Sequence, residues 1–407
     1  MTAYSSDVIV VGGGPSGVAA ALAMRRAGVE RVTVLEREPH LGGATRHCLH
    51  SPFGMLEYGR VYLGAAYGRR LEREVADAGI DVRTGHSVVD LGCDGAVVVS
   101  HAHGVETLTA RRVLVATGAR EMPRSARLLP GDRPIGIITT GSLQAYVAFH
   151  GLMPFRRPLI VGSELVSYSA ILTCLLAGAR PVAMIEPQPF ALARAPLPLL
   201  PRMVGIPFHT NAEIIDIRGH SRVEAVTIRL GEQTKTLPCD GVLLTGRFTP
   251  ESSLLLRSPM GVAPGSSGAA VDQDGRCVNP LYFAAGNVLR AVETGGWAFR
   301  EGRAIGTAMA HDLSHDPDTA PPVPVKFDAP IKLVVPNLLR GTAGKGALSQ
   351  FQLRFLRRAS GTLTLELDGA EIWRRSGTFL PERRVLVPLP QDAWSARRAH
   401  FRFKEDI

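Results

Sequence analysis

The sequence predicts an α/β fold of two parallel-sheet domains, one inserted in the other, followed by a small, mostly β C-terminal domain. Three observations carry this expectation. Short apolar strands alternate with helical stretches through the first three quarters of the chain. The opening order of strand, glycine turn, helix and strand recurs at 158–186. Beyond a Pro-rich stretch at 316–324 the pattern changes to alternating and β-branched runs.

Taken in order, Asp7 to Val11 reads as a buried strand, Pro15 to Ala27 as an Ala-rich helix, and Arg31 to Glu36 as the second strand of a βαβ unit. Further apolar strands are expected at 112–116, 158–161, 181–185, 241–245 and 281–285, with a helix at 295–313. The chain is expected to return to the first domain near Asp240. This gives a first domain of 1–120 and 238–315, an inserted domain of 121–237, a linker at 316–324 and a β-rich domain of 325–407. Within that last domain, strands are expected at 349–358, 363–367, 384–387 and 400–404.

Composition narrows the function classes. With 407 residues, 45% hydrophobic and 20% charged, the chain can bury several cores and lacks a disordered profile. The longest apolar stretch, 159–179, is interrupted by Ser163, Glu164, Ser167 and Ser169, so no membrane span is expected. No basic, cleavable apolar segment precedes the first strand, and a cytoplasmic location is expected. The five cysteines, at 48, 93, 174, 239 and 277, form no C-x-x-C pair and no zinc-ligand spacing; neither a metal nor a redox disulfide is expected. The net charge of +9 comes from scattered Arg without a basic stripe, which speaks against nucleic acid. Lys235 is the first lysine, so no Schiff-base chemistry is available in the N-terminal half.

Gly12-Gly13-Gly14-Pro15-Ser16-Gly17 is a G-x-G-x-x-G run between strand and helix, and Glu36 closes the next strand 24 residues after Gly12. Gly12 permits the tight turn, Gly14 lets a pyrophosphate approach the backbone, and Gly17 allows close helix packing. The helix N-terminus at Pro15 and Ser16 offers its dipole to phosphate, and Glu36 would accept from a ribose hydroxyl. These features predict two Rossmann-like dinucleotide-binding domains.

Together with Gly42-Gly43, the run Val113 to Arg120 and the late Phe283-Ala284-Ala285-Gly286-Asn287, the chain resembles the pyridine nucleotide-disulfide oxidoreductases over about residues 5–315. The resemblance implies FAD in the first site. It implies Arg37 beside Glu36, Gly42, Gly43 and Arg46 near the pyrophosphate, and an adenine contact at the Val88 backbone. It also implies Ala116, Thr117 and Gly118 where the domains cross, Gly286 and Asn287 at the ribityl chain, and Thr294 and Gly295 at the helix start facing the flavin pyrimidine. Asn287 stands where the family usually has Asp, keeping the acceptor oxygen without the charge.

Two departures narrow this further. The family's cysteine pair is missing, so disulfide reduction is not expected. The second fingerprint reads Gly162-Ser163-Glu164-Leu165-Val166-Ser167, which puts a carboxylate where a second pyrophosphate must touch backbone. Sterics and like charge there oppose NAD(P)H, although Glu186 keeps the 24-residue spacing from Gly162.

Arg46-His47-Cys48-Leu49-His50 follows the Gly-Gly pair where the family's chain passes the isoalloxazine. One reading gives Cys48 a lowered pKa and lets His47 and His50 take the substrate proton. The other has Cys48 packing as a small buried residue while the histidines cap a turn. Arg290 or Arg300 would bind a substrate carboxylate, with Trp297 walling the flavin, or serve as ordinary surface and core residues. A looser likeness to flavin subunits of hydrogen cyanide synthase and opine dehydrogenase implies amine or imino-acid oxidation with electrons passed to a partner. The expected function is FAD-dependent oxidation of a small amine, imino acid or hydroxy acid by an oligomer. The alternatives are an NAD(P)H-dependent flavin reductase or oxidase, and a non-catalytic FAD-binding subunit.

Overall fold

The run Ser6–Val11 forms β1 because its apolar side chains are buried on both faces of a sheet, which continuous Val and Ile content allows. In the computed structural model, which describes residues 4–50, 52–316, 320–341 and 346–406, β1 lies parallel to β2 (Val32–Glu36). β3 (Asp81–Thr84) extends the sheet beyond β2. β4 (Ser87–Leu91) and β5 (Ala96–His101) fold back as an antiparallel meander onto β6 (Gly104–Val115), which pairs with β1 on its other side. Strand Tyr282–Ala284 completes the sheet, parallel to the end of β6.

The helices run α1 (Pro15–Arg26), α2 (Met55–Tyr58), α3 (Gly64–Asp77), α4 (Thr140–His150), α5 (Leu165–Leu176), α6 (Leu200–Met203), α7 (Ser253–Leu256) and α8 (Gly295–Asp312). α1, α3 and α8 cover one face of the first sheet through Val18, Leu22, Leu71, Val75, Ile305 and Met309. α8 approaches α1 more closely than side chains would permit. A Cβ on Gly306 would stand 2.5 Å from the Ala20 carbonyl oxygen, and one on Gly302 would overlap the Ser16 carbonyl oxygen outright.

The inserted domain has a five-stranded parallel sheet in the order Phe208–Thr210, Ala183–Glu186, Pro158–Val161, Gly241–Leu244, Ile137–Thr139. This corrects the expected boundary at Asp240. The Gly241–Leu244 strand pairs with Pro158–Val161 inside the second domain, and the chain returns only afterwards. The reason is structural equivalence: Val242 to Gly246 does for the second sheet what Val113 to Gly118 does for the first. The passage between domains is a two-stranded ribbon, Ala119–Glu121 against Phe248–Pro250.

The terminal domain is β-rich as expected. A five-stranded and a three-stranded sheet enclose Phe351, Phe355, Phe379 and Phe401. Its first strand, Val323–Phe327, begins inside the expected linker, of which 317–319 lie outside the described residues. The ten-residue strand Ala370–Phe379 was not expected because it is exposed along nearly all its length and carries no apolar alternation. Among the described residues, no helix is long and apolar enough to cross a membrane.

The α1–α8 contact has a measurable consequence. Gly302→Ala overfills it and is expected to cost about 1–3 kcal/mol in denaturant unfolding, with Gly302→Val costing more, whereas Arg303→Ala on the exposed side leaves stability within ~0.5 kcal/mol. Equal stability of the three variants would show that the helices can part freely.

Candidate dinucleotide and active site

The turn after β1 is built from glycines for separate steric reasons. Gly12 has φ +106°, and a Cβ there would lie 2.6 Å from the Ala116 carbonyl oxygen; a Cβ on Gly17 would overlap the Gly12 oxygen. At Gly14, by contrast, a Cβ would meet nothing within 4 Å, so its backbone faces open space at the N-terminus of α1. Beside it the Ser16 hydroxyl is buried with no hydrogen-bond partner. An open glycine, an unpartnered hydroxyl and a helix N-terminus together fit a phosphate group. The Gly42 N–H donates to the Gly13 oxygen at 2.8 Å, and a Cβ on Gly43 would lie 3.2 Å from the Gly14 Cα, so the Gly-Gly pair borders the same opening.

Glu36 is buried, and its carboxylate accepts from the Gly13 N–H at 2.8 Å and the Glu38 N–H at 2.9 Å. Lone pairs remain on both oxygens for a hydroxyl. Arg37 is exposed, 3.8 Å from Glu38. Val88 sits in β4 opposite Val99. At the crossing, the Ala116 N–H donates to the Val11 oxygen, the Thr117 hydroxyl donates to the Glu251 oxygen at 2.7 Å, and Gly118 takes φ +78°.

The late motif comes to the same place. Gly286 adopts φ +80° with its Cβ direction 2.7 Å from the Ser16 Cβ, and its N–H donates to Glu301 Oε1 at 2.8 Å. The Asn287 side chain does not stand free. Its amide donates to the Glu293 carbonyl and its oxygen accepts the Glu293 N–H at 2.7 Å, which holds the loop before α8 closed. Thr294 caps α8 in extended conformation, and Gly295 packs against Phe53 and Thr45.

The 46–50 segment packs against α4 of the second domain; Ser51 lies outside the described residues. The Arg46 guanidinium stands over the Phe149 ring, 5.0 Å from its centroid, and the His47 ring meets Phe149 edge-on. Burial, then the charges of Arg46 and His50, push the His47 pKa down to about 4, so its imidazole is neutral at pH 7. His50 stacks obliquely on Phe53 at 5.4 Å. Cys48 requires a correction. Burial pushes its pKa up to about 12, the reverse of the expected activation, and the thiol donates to the Ala44 oxygen at 3.3 Å. All five cysteines are free.

The second fingerprint follows the layout of the first, with one donor exchanged. The Ser163 hydroxyl donates to Glu186 Oε2 at 2.6 Å where the Gly13 N–H serves Glu36, and the Gln188 N–H replaces that of Glu38 at 3.0 Å. The Ala193 N–H reaches the Ser163 oxygen as that of Gly42 reaches Gly13. The difference is at the opening. Glu164, counterpart of Gly14, folds its carboxylate over the strand end and accepts the Arg247 N–H at 2.7 Å, leaving no room for a Cβ on Gly246. Burial and the neighbouring Glu382 raise its pKa. Ser167, in the third glycine's place, bonds Thr245 at 2.5 Å.

A family model described as pyridine nucleotide-disulphide oxidoreductase matches residues 6–302. The chain belongs to this family. An opine oxidase subunit of Rhizobium meliloti (strain 1021) is 28% identical over 182 residues, 44% of this chain and 38% of that one. The sarcosine oxidase alpha subunit of the same strain is 27% identical over 265 residues, 60% of this chain and 24% of that one. The chain thus spans well under half the length of either relative. The T. acidophilum thioredoxin reductase structure shares the fold, with TM-score 0.63, 20% identity, and coverage of 76% of this chain and 99% of that one.

In this family member, several residues near the site carry no sequence signal. Glu121, on the crossing ribbon, accepts the Gly141 N–H at 2.8 Å and the Gly246 N–H at 3.1 Å. It and His47 approach the same point, lying 3.6 and 3.9 Å from where a Gly141 Cβ would be. Glu293 pairs with Arg354 and, at 2.8 Å, with Arg384, both from the terminal domain. Arg290 is fully buried and bound to Glu301 at 2.6 Å and Gln352 at 3.0 Å, which corrects its expected part in substrate binding. Arg300 donates to the Leu56 oxygen, and the Trp297 ring is covered by Arg384 at 3.9 Å.

Burial raises the Glu121 pKa to about 7 from an ordinary 4.5. The folded protein therefore holds a proton there that the unfolded chain releases above pH 4.5, and this contribution to stability is lost as pH rises through about 7. Glu121→Gln is expected to flatten the fall in melting temperature across that window. An unchanged slope would assign the proton uptake elsewhere.

Proposed function

We propose that this chain is an FAD-dependent oxidoreductase that oxidises a small amine, imino acid or hydroxy acid and passes the electrons to a partner protein or another acceptor. The carrying observation is the contrast between the two fingerprints: open backbone at Gly14 beside the unpartnered Ser16 hydroxyl, and a carboxylate at Glu164 in the equivalent place. The names of the relatives, subunits of an opine oxidase and a sarcosine oxidase, support the substrate class and the partner. The five cysteines are free and widely spaced in the chain, which argues against disulfide reduction.

Gly12, Gly14, Ser16 and Gly17 with Gly42 and Gly43 would hold the pyrophosphate, Glu36 the ribose, and the segment from Gly286 to Gly295 the flavin end. FAD, when bound, supplies a two-electron acceptor for the substrate hydride. Neutral His47 is the group we assign to take the substrate proton, and Cys48 stays protonated. Asn287 positions the loop before α8 through the Glu293 backbone.

One observation favours a second reading, NAD(P)H as electron donor: Glu186 stands where Glu36 does in the first domain and is held likewise by the residue after the first glycine, here through the Ser163 hydroxyl, and by the Gln188 N–H. The anaerobic visible spectrum separates the readings. We expect a yellow protein whose flavin band persists with NADH and with NADPH, and which bleaches with NADH once Glu164→Gly and Ser167→Gly reopen the second site. Fast bleaching of the unmodified protein would overturn the proposal.

His47 makes a separate prediction on the substrate such a screen identifies. His47→Gln should lower kcat by about 10²–10⁴-fold with little change in KM. Because the His47 pKa lies near 4, unmodified activity should hold to about pH 5 and fall only below it. A fall centred near pH 6.5 would point to an ordinary exposed histidine instead.

A further inference from the structure

The open side of the β4–β6 meander carries a cluster that the oxidoreductase reading does not use. His86 follows β3, His101 ends β5 and Glu106 lies on β6, and their ligand-type atoms fall within 4.8 Å of one another. We propose that His86, His101 and Glu106 form a binding site for one divalent transition-metal ion of the zinc class. The proposal is independent of the dinucleotide site.

The backbone fixes all three positions. The His86 N–H donates to the Glu36 oxygen at 3.0 Å, the strand pairing sets His101 opposite Gly104, and Val99 opposite Glu106. His86 is already in the required tautomer. Its Nδ1 lies 2.7 Å from the Thr84 carbonyl oxygen, which can only accept, so Nδ1 carries the hydrogen and Nε2 presents a lone pair. A carbonyl behind the ligand imidazole is the usual outer support of a metal-bound histidine.

His101 Nε2 is 3.8 Å from Glu106 Oε1. The two imidazoles stack at 4.8 Å with 14° between planes, which sets their lone pairs side by side rather than convergent. Rotating one ring about χ2, a broad torsion in histidine, converges them. Donors around a zinc ion with bonds of about 2.0–2.1 Å stand roughly 3.4 Å apart, so the cluster must draw in by roughly an ångström. His101 would give up one long bond from the His103 N–H, at 3.3 Å, to turn its own Nδ1 into a donor.

Two nitrogens and one carboxylate suit zinc, nickel or copper better than magnesium or calcium, with water or exposed His103 available as a fourth ligand. One charge opposes the ion: Arg83 Nη1 stands 3.6 Å from Glu106 Oε1. That opposition gives the site a signature which adventitious surface binding lacks.

The test uses the full-length, tag-free protein, stripped with chelator and titrated calorimetrically with zinc chloride alone. We expect one ion per chain with micromolar affinity. His86→Ala and His101→Ala should each weaken it by at least about tenfold, since even outer-shell losses cost about 10–100-fold, and Arg83→Ala should tighten it. The stacked pair of His311 in the last turn of α8 and His315 just beyond it is the competing site. Absence of binding, or binding lost in His311→Ala and untouched in His86→Ala and His101→Ala, overturns the proposal. A failure of the alanine variants to fold would be visible in their circular dichroism, and the Arg83→Ala result then decides alone.

Discussion

The early glycine turn and the late Gly286–Gly295 segment of the candidate site meet across the close contact between α1 and α8. Gly302 and Gly306 let the two helices lie nearly backbone to backbone, against the Ser16 and Ala20 carbonyls. Residues 12–17 and 286–295 are more than 260 positions apart in the chain; the pairing of Tyr282–Ala284 with β6 brings the late motif beside β1, and the α1–α8 contact seats it against the turn. Once they meet, the Gly286 backbone abuts the Ser16 side chain and both helix N-termini border one opening. A methyl group at either glycine would push α8 outward, and with it the loop that Asn287 ties to Glu293. The sheet below tolerates no compensating shift, because the strand Tyr282–Ala284 leading into the motif is itself fully buried against β6.

The inserted domain shows how little is needed to change what such a turn accepts. Its strand register, its buried acid and its glycine at φ +117° all match the first domain. One side chain differs at the decisive place. Glu164, at the N-cap of the Leu165–Leu176 helix, turns its carboxylate to the Arg247 N–H, so a side chain fills the place that stands open at Gly14. An incoming phosphate would have to displace a carboxyl group already desolvated and hydrogen-bonded to the Arg247 N–H.

Much of this was legible in the sequence, for identifiable reasons. The fingerprint, its 24-residue spacing to Glu36 and the altered second copy are local patterns, and local patterns survive without coordinates. The domain return was not legible, because Val242 to Gly246 so nearly copies Val113 to Gly118 that either sheet could claim it. The state of Cys48 was not legible either: neighbouring Arg46 and His47 suggest activation, but burial decides the sign, and burial is a property of the packed segment against α4. Arg384 and Glu293 are 91 residues apart, and nothing in their surroundings marks them as partners.

That last pair explains why a terminal β domain accompanies a nucleotide-binding fold here. Glu293 is buried between Arg290, Arg354 and Arg384, and Glu301 is bound to Arg290. Isolated, such charges would cost several kcal/mol each on burial. They are tolerated because each domain supplies the countercharge the other lacks: two arginines from the terminal domain and one from the first domain surround Glu293. Removing the terminal domain would leave Glu293 facing the solvent while its backbone still receives Asn287, so the loop before α8 would lose its outer support and keep only the inner one. The domain therefore reaches the candidate flavin end through the buried Glu293, through Gln352 on Arg290 and through Arg384 over Trp297.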